Sequence, residues 1–225
     1  MSGTYNVPVQ FTQFNGQPIT LYTYAKGSGT LANEQLNAPS NRPDTYNTIL
    51  VSFAKRTSAK WSAAASFWDT KDHMWINQTA NLYGDPNSWF FPIDDTWNWG
   101  FNANAYYNLP KGFALSSFLT MQSGTPGQQT EVFGSTATLT QGPETVRVGP
   151  YGQFRGPVIN NLSAKVAKDF SIGEKYHMEA NFQVFNLLNS SAAVSTNYLT
   201  GATTFGVITS LISPRVGRFG IKFSF

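Results

Sequence analysis

The sequence predicts an all-β chain, an antiparallel up-and-down transmembrane β-barrel segment of about nine strands. Three observations carry this. Apolar residues recur at every second position, no stretch keeps the i, i+3, i+4, i+7 spacing of an amphipathic helix, and short connections alternate with long ones. Composition agrees: of 225 residues only 12% are charged and 15% are aromatic, where an ordinary domain is about 25% charged. A hydrophobic share of 41% excludes a disordered chain. The longest apolar runs, such as Ile49-Leu50-Val51, fall far short of the roughly 20 residues of a membrane-spanning helix. A net charge of +3, with Lys55-Arg56 as the only adjacent basic pair, makes no nucleic-acid footprint. Zero cysteines exclude a disulfide scaffold, a thiolate metal site and a Cys nucleophile. The first ten residues lack the basic flank and apolar stretch of a secretory signal.

The elements follow from the alternation. Strands are expected at 5–13 and 18–26, the second with Thr23 on its apolar side. Residues 45–56 carry Ile49, Val51 and Phe53 on one parity, and 59–69 carry Trp61, Ala63, Ala65 and Phe67. In 96–107 the odd positions Trp97, Trp99, Phe101, Ala103, Ala105 and Tyr107 alternate with Asn98, Gly100, Asn102 and Asn104. Segment 112–123 is less clean, because Phe118 breaks the parity of Phe113, Leu115, Leu119 and Met121. Residues 157–169 set Leu162, Ala164 and Val166 against Asn161, Ser163 and Lys165. In 175–187, Tyr176, Met178, Ala180, Phe182 and Val184 alternate with His177, Glu179, Asn181 and Gln183. The last strand, 214–225, sets Phe219, Ile221, Phe223 and Phe225 against Arg218, Gly220, Lys222 and Ser224. Short joins fall near 15–17, 57–58, 108–111 and 171–174, and long ones at about 27–44, 70–95, 124–156 and 188–213. Tight turns at one end and extended loops at the other are the pattern of outer-membrane barrels. Ten to twelve residues per strand, tilted near 45°, give a height of roughly 23 to 28 Å, which fits an apolar band of about 25 Å.

With the strands placed, a family likeness can be read. The segment from Ser213 through Arg215, Arg218 and Phe219 to Phe225 resembles the last strand of a TonB-dependent outer-membrane receptor of the Oar-like subgroup. Phe185-Asn186-Leu187-Leu188-Asn189 is similar to that family's strand end, and Lys55-Arg56-Thr57-Ser58-Ala59-Lys60-Trp61 to its periplasmic hairpin. Looser matches are Tyr106 to Gly112, Gly124-Thr125-Pro126-Gly127 and Tyr151-Gly152-Gln153-Phe154-Arg155. The resemblance implies a 22-stranded barrel plugged by an N-terminal domain. On that basis residues 1–225 are expected to be its last part, a fragment in which no plug domain or signal peptide is recognised. It also implies a place in the cell outer membrane, in contact with lipid and lipopolysaccharide. The barrel-assembly machinery would read Phe219, Phe223 and Phe225, and a TonB system would act through the N-terminal part. The implied function is wall and extracellular loops of a transporter importing a scarce, large substrate.

The polar parity then lines a wet lumen. Its candidates are Arg56, Asn98, Asn102, Asn104, Asn161, Lys165, Glu179, Asn181, Gln183, Arg218 and Lys222. Lys55 and Lys168 fall on the apolar parity but near turn ends, where they can snorkel. Nothing suggests catalysis: His73 and His177 are the only histidines, and no H-E-x-x-H, G-x-S-x-G or phosphate-loop motif occurs. No enzyme activity and no cofactor are expected. Loop 70–95 offers Trp75, Tyr83, Trp89, Phe90 and Phe91 for ligand contact, although they could equally cap the mouth. It also holds Asp72, Asp85, Asp94 and Asp95, oxygen ligands for a hard cation such as Ca²⁺; their spacing fits no recognised ion loop, so no metal is expected. Two other readings stay open: a soluble secreted β-sandwich binding glycans through its aromatic residues, and a passive porin or adhesion barrel.

Overall fold

In a computed structural model, residues 6–25, 42–58, 60–75, 86–173 and 176–224 are described. The fold is all-β and antiparallel, with no α-helix among the described residues. Seven long strands make the main sheet: β3 (Thr45–Ser58), β4 (Trp61–Trp75), β5 (Ile93–Leu109), β6 (Phe113–Gln122), β11 (Ile159–Ile172), β12 (Tyr176–Phe185) and β15 (Val216–Ser224). Their order, β15-β12-β11-β6-β5-β4-β3, is a meander in which each strand pairs with the next long strand of the chain. The sheet is open, with β3 and β15 as its edges.

The remaining strands decorate the long-loop end. β1 (Val7–Thr12) and β2 (Pro18–Thr23) form a hairpin of their own. The 123–158 connection holds β7 (Pro126–Gly127), β8 (Thr130–Phe133), β9 (Glu144–Arg147) and β10 (Phe154–Arg155), with β8 paired to β9 inside the β7–β10 pair. The 186–215 connection holds β13 (Ala193–Thr196) and β14 (Ile208–Leu211).

Register fixes two faces on the main sheet. The pairs Val51↔Phe67, Phe67↔Phe101, Phe101↔Met121, Leu119↔Leu162, Val166↔Phe182 and Phe182↔Phe219 put the apolar parity of all seven strands on one side. The other side carries Ser52, Ser66, Asn102, Thr120, Asn161, Gln183 and Arg218 in the same rows. Trp68 is an apolar exception there, and it lies over Gly100, where an added Cβ would come 2.5 Å from its ring.

Tight turns close the opposite end. Between β5 and β6 the chain reverses at Pro110–Gly112, with Lys111 at φ 65° and Gly112 at φ 74°, and the Lys168 ammonium donates to the Lys111 carbonyl. At the long-loop end of β12, Asn186 takes φ 48° and turns the chain out of the sheet. Its buried side chain donates to Ser190 O (2.9 Å) and Ser213 O (2.8 Å) and accepts from Ser190 N (2.9 Å). Asn tolerates this left-handed conformation better than any β-branched residue. That explains locally why the Phe185-to-Asn189 motif contains an asparagine at its turning point.

Two expectations change. The segments expected at 5–13 and 18–26 do not join the main sheet, because alternate residues of β2 are buried elsewhere: Ile19 and Leu21 pack with Phe133, Leu139 and Val146. Leu21 and Leu139 are fully buried. The expected loop 70–95 also shrinks to 76–92, since β4 runs on to Trp75 and β5 begins at Ile93. The alternation was masked there by polar residues on the apolar parity, namely Asp69, Lys71, His73 and Asp95.

Candidate functional site

The polar face and the loop ends above it form the region with the richest chemistry. Ten of the eleven sequence candidates for a wet wall, Asn98 through Lys222, fall on this face by register, while Arg56 lies in the irregular stretch of pairing between Lys55 and Ser58. They are linked across strands: Lys165 Nζ meets Glu179 Oε1 at 2.8 Å, Asn181 donates to the same oxygen at 2.9 Å, and Arg218 donates to Gln183 at 2.9 Å. Lys222 sits directly opposite Glu179. Lys165, Glu179 and Arg218 therefore keep partners while remaining open to water.

Where the loops meet the sheet, Arg155 acts as a clamp. Its guanidinium donates to Trp97 O (2.7 Å), Gly124 O (3.0 Å) and Asn98 Oδ1 (3.2 Å), while Asn98 donates to Asp72 Oδ2 (2.8 Å). Arg147 pairs with the buried Asp94 and lies 5.7 Å from the Tyr151 ring. Burial, with Asp94 nearby as the next cause, raises the Tyr151 phenol above its ordinary value, so it stays protonated and able to donate.

Beside this clamp a cleft of about 340 Å³ opens between the 123–158 and 186–215 connections. Backbone bonds suture the two loops around it: Thr130 N to Tyr198 O (3.2 Å) and Thr200 N to Thr130 O (2.7 Å). Tyr198 forms one wall, stacked on Phe154 at 4.7 Å and 10°. Only glycine fits at position 127, where a Cβ would come 2.2 Å from the Tyr198 ring.

The aspartates do not converge. Asp72 and Asp94 lie on the polar face, each with its own amide or guanidinium partner. Asp95 projects from the opposite face toward Lys71 (3.3 Å) and His73 (3.7 Å). No cluster of three or more metal-capable side chains occurs among the described residues; Asp85 lies outside them. Of the aromatic loop candidates, Trp75 proves to be the last residue of β4 on the apolar face, edge-on to His73. Phe90 packs against the Leu21 core, and Phe91 is exposed. Trp89 lies in a 3-10 turn and its side chain, like Tyr83, is outside the described residues. Phe219 and Phe223 line the apolar face of β15, and Phe225 falls outside.

Sequence reading missed the cleft and the clamp. Their signal was present in Tyr151-Gly152-Gln153-Phe154-Arg155, whose Arg155, Phe154 and Tyr151 supply the clamp, the stacked wall and the phenol. No known protein family, curated protein or solved structure matches the chain.

Proposed function

We propose that this chain forms wall and outer loops of an outer-membrane transporter of the TonB-dependent kind, its apolar face against lipid and its polar face toward the lumen. One observation carries the reading: an apolar face continuous over seven strands, with Phe219, Ile221, Val51 and Phe53 all more than half exposed on the edge strands. A water-facing sheet of that extent would be an aggregation surface. Aromatic residues bound the band as headgroup-level anchors do. At the short-turn end Trp61 is paired with Tyr107, and Lys55 lies 3.6 Å from the Trp61 ring. At the other end stand Trp97 and Trp99, with Asp69, Lys71 and Asp95 at the same level and beyond. From Trp97 to Tyr107 is about 33 Å along the strand and, at a tilt near 45°, about 23 Å across, close to the apolar band of a bacterial barrel. The energised mode of transport rests on the resemblance of the closing strand and the Phe185-to-Asn189 and Lys55-to-Trp61 segments.

The chain has no cysteine, so single cysteines report sidedness cleanly. Expressed in the full-length protein, Thr203→Cys in the long 186–215 loop reacts with a membrane-impermeant maleimide on intact cells, whereas Gly173→Cys in a tight turn reacts only after the outer membrane is opened. Equal labelling of both, or recovery of the protein as a detergent-free monomer, sinks the reading. Uptake abolished by a protonophore separates energised import from a passive pore.

A further inference from the structure

We propose that the short-turn rim of the apolar face selects anionic phospholipid, seating one phosphodiester headgroup, such as that of phosphatidylglycerol, on the ammonium of Lys168 and a second on that of Lys55. Lys168 lies on the apolar parity of β11, directly opposite Phe113 of β6. Its Nζ stands 4.8 Å from the Phe113 ring and 5.4 Å from the Phe170 ring, both exposed. One of its three N–H groups donates to the Lys111 carbonyl, which leaves two for a phosphate. Gly112 lets the turn come this close: its φ is 74°, and an added Cβ would stand 3.4 Å from the Lys168 Nζ and 3.0 Å from Asp169 O. The ammonium is thus held at the level of the turn, between two rings.

The charges on the face choose the occupant. Turnward of the row Val51, Phe67, Phe101 and Met121, the apolar parity of the seven strands carries Lys55 and Lys168 but no Asp or Glu among the described residues. The loop end of the same face mixes signs, with Asp69, Lys71, His73 and Asp95, and Lys71 lies 3.3 Å from Asp95. A cation there has its counter-charge within the protein. For Lys168 the face offers none, and a lipid phosphate supplies it through a charge-assisted hydrogen bond, strengthened where rings narrow access to water. A zwitterionic headgroup brings its own ammonium, which competes for that phosphate. The rows of Leu115, Val166 and Phe182 continue the apolar surface along which acyl chains lie. Lys55 repeats the arrangement, 3.6 Å from the Trp61 ring. It is four strands away, about 19 Å at the usual strand spacing, too far for one headgroup to serve both lysines.

This inference rests on the wall reading, since it needs lipid against the apolar face. The test is native mass spectrometry of the purified full-length protein, released from detergent after incubation with phosphatidylglycerol or with phosphatidylcholine of matched chains. Phosphatidylglycerol is expected to be held about tenfold more tightly. Lys168→Gln should remove one tightly held phosphatidylglycerol, and Lys55→Gln combined with it should remove two. Lys168→Arg, which keeps the charge, and Lys71→Gln at the opposite rim should remove none. Excess inorganic phosphate should displace neither lipid, which separates a lipid headgroup from a free phosphate. Equal retention of the two lipids, a count indifferent to Lys168→Gln, the same loss in Lys168→Arg or Lys71→Gln, or displacement by inorganic phosphate overturns the proposal. A thermal melt of each variant confirms that the fold survives. A protein recovered as a detergent-free monomer removes wall and rim together, whereas equal retention of both lipids by a protein with the expected labelling removes only the selectivity of the rim.

Discussion

Tyr151 lies where three influences meet, the Asp94 carboxylate, the Arg147 guanidinium and the cleft. Its raised pKa sets the sign of a pH effect. The folded chain holds the phenolic proton more tightly than the unfolded chain, so the contribution is complete below the ordinary value of 10.0 and is lost as pH rises beyond it. An absorbance titration should show a tyrosine ionising above the ordinary value, and Tyr151→Phe should remove that step. Leu21 tests the loop-end core. It is fully enclosed among Ile19, Phe133, Leu139 and Val146, so Leu21→Ala should destabilise the loop assembly by about 2–5 kcal/mol. The readout is faster proteolysis of the loops with the sheet left intact.

At the scale of elements, the turn out of β12 depends on one side chain. Asn186→Ala removes three hydrogen bonds in a buried site and leaves two carbonyls and an amide to find other partners. A loss of about 1–3 kcal/mol is expected, read as a lower denaturant midpoint with unchanged slope. Strands of this kind were legible because a half-buried strand advertises itself with period two: β5, β12 and β15 match the alternation of Trp97 to Tyr107, Tyr176 to Val184 and Phe219 to Phe223. The ends of β4 and β5 were not, since charged residues there interrupt the period where the sheet leaves its apolar band. β2 misled for a different reason. Ile19 and Leu21 alternate as wall residues would, and period two alone does not say which partner covers the apolar side. The cleft was illegible for the same cause: Gln128 and Tyr198 are seventy residues apart in the chain and meet only through loop packing.

For the whole molecule, the decisive contrast is between adjacent residues on opposite faces. Leu119 stands in the apolar row with Ala103 and Leu162, and Thr120 in the polar row with Asn102 and Asn161. With the apolar face in lipid, Leu119→Arg should cost about 2–4 kcal/mol and Thr120→Arg close to nothing, measured by reversible unfolding in lipid vesicles. Similar costs for both would mean that the face meets water. The hairpin of β1 and β2 carries a separate implication. Its Phe14 amide is held by the Glu131 carboxylate (3.0 and 3.2 Å), Tyr22 is gripped by Asn87 (2.7 and 2.8 Å), and Ile19 shares a core with Val146, more than a hundred residues away. Contacts so distant in the chain pay a large closure entropy and form late. The rim above the sheet is thus completed last as the chain folds, and once closed it ties the first hairpin and the 123–158 connection into one piece with a fixed outline.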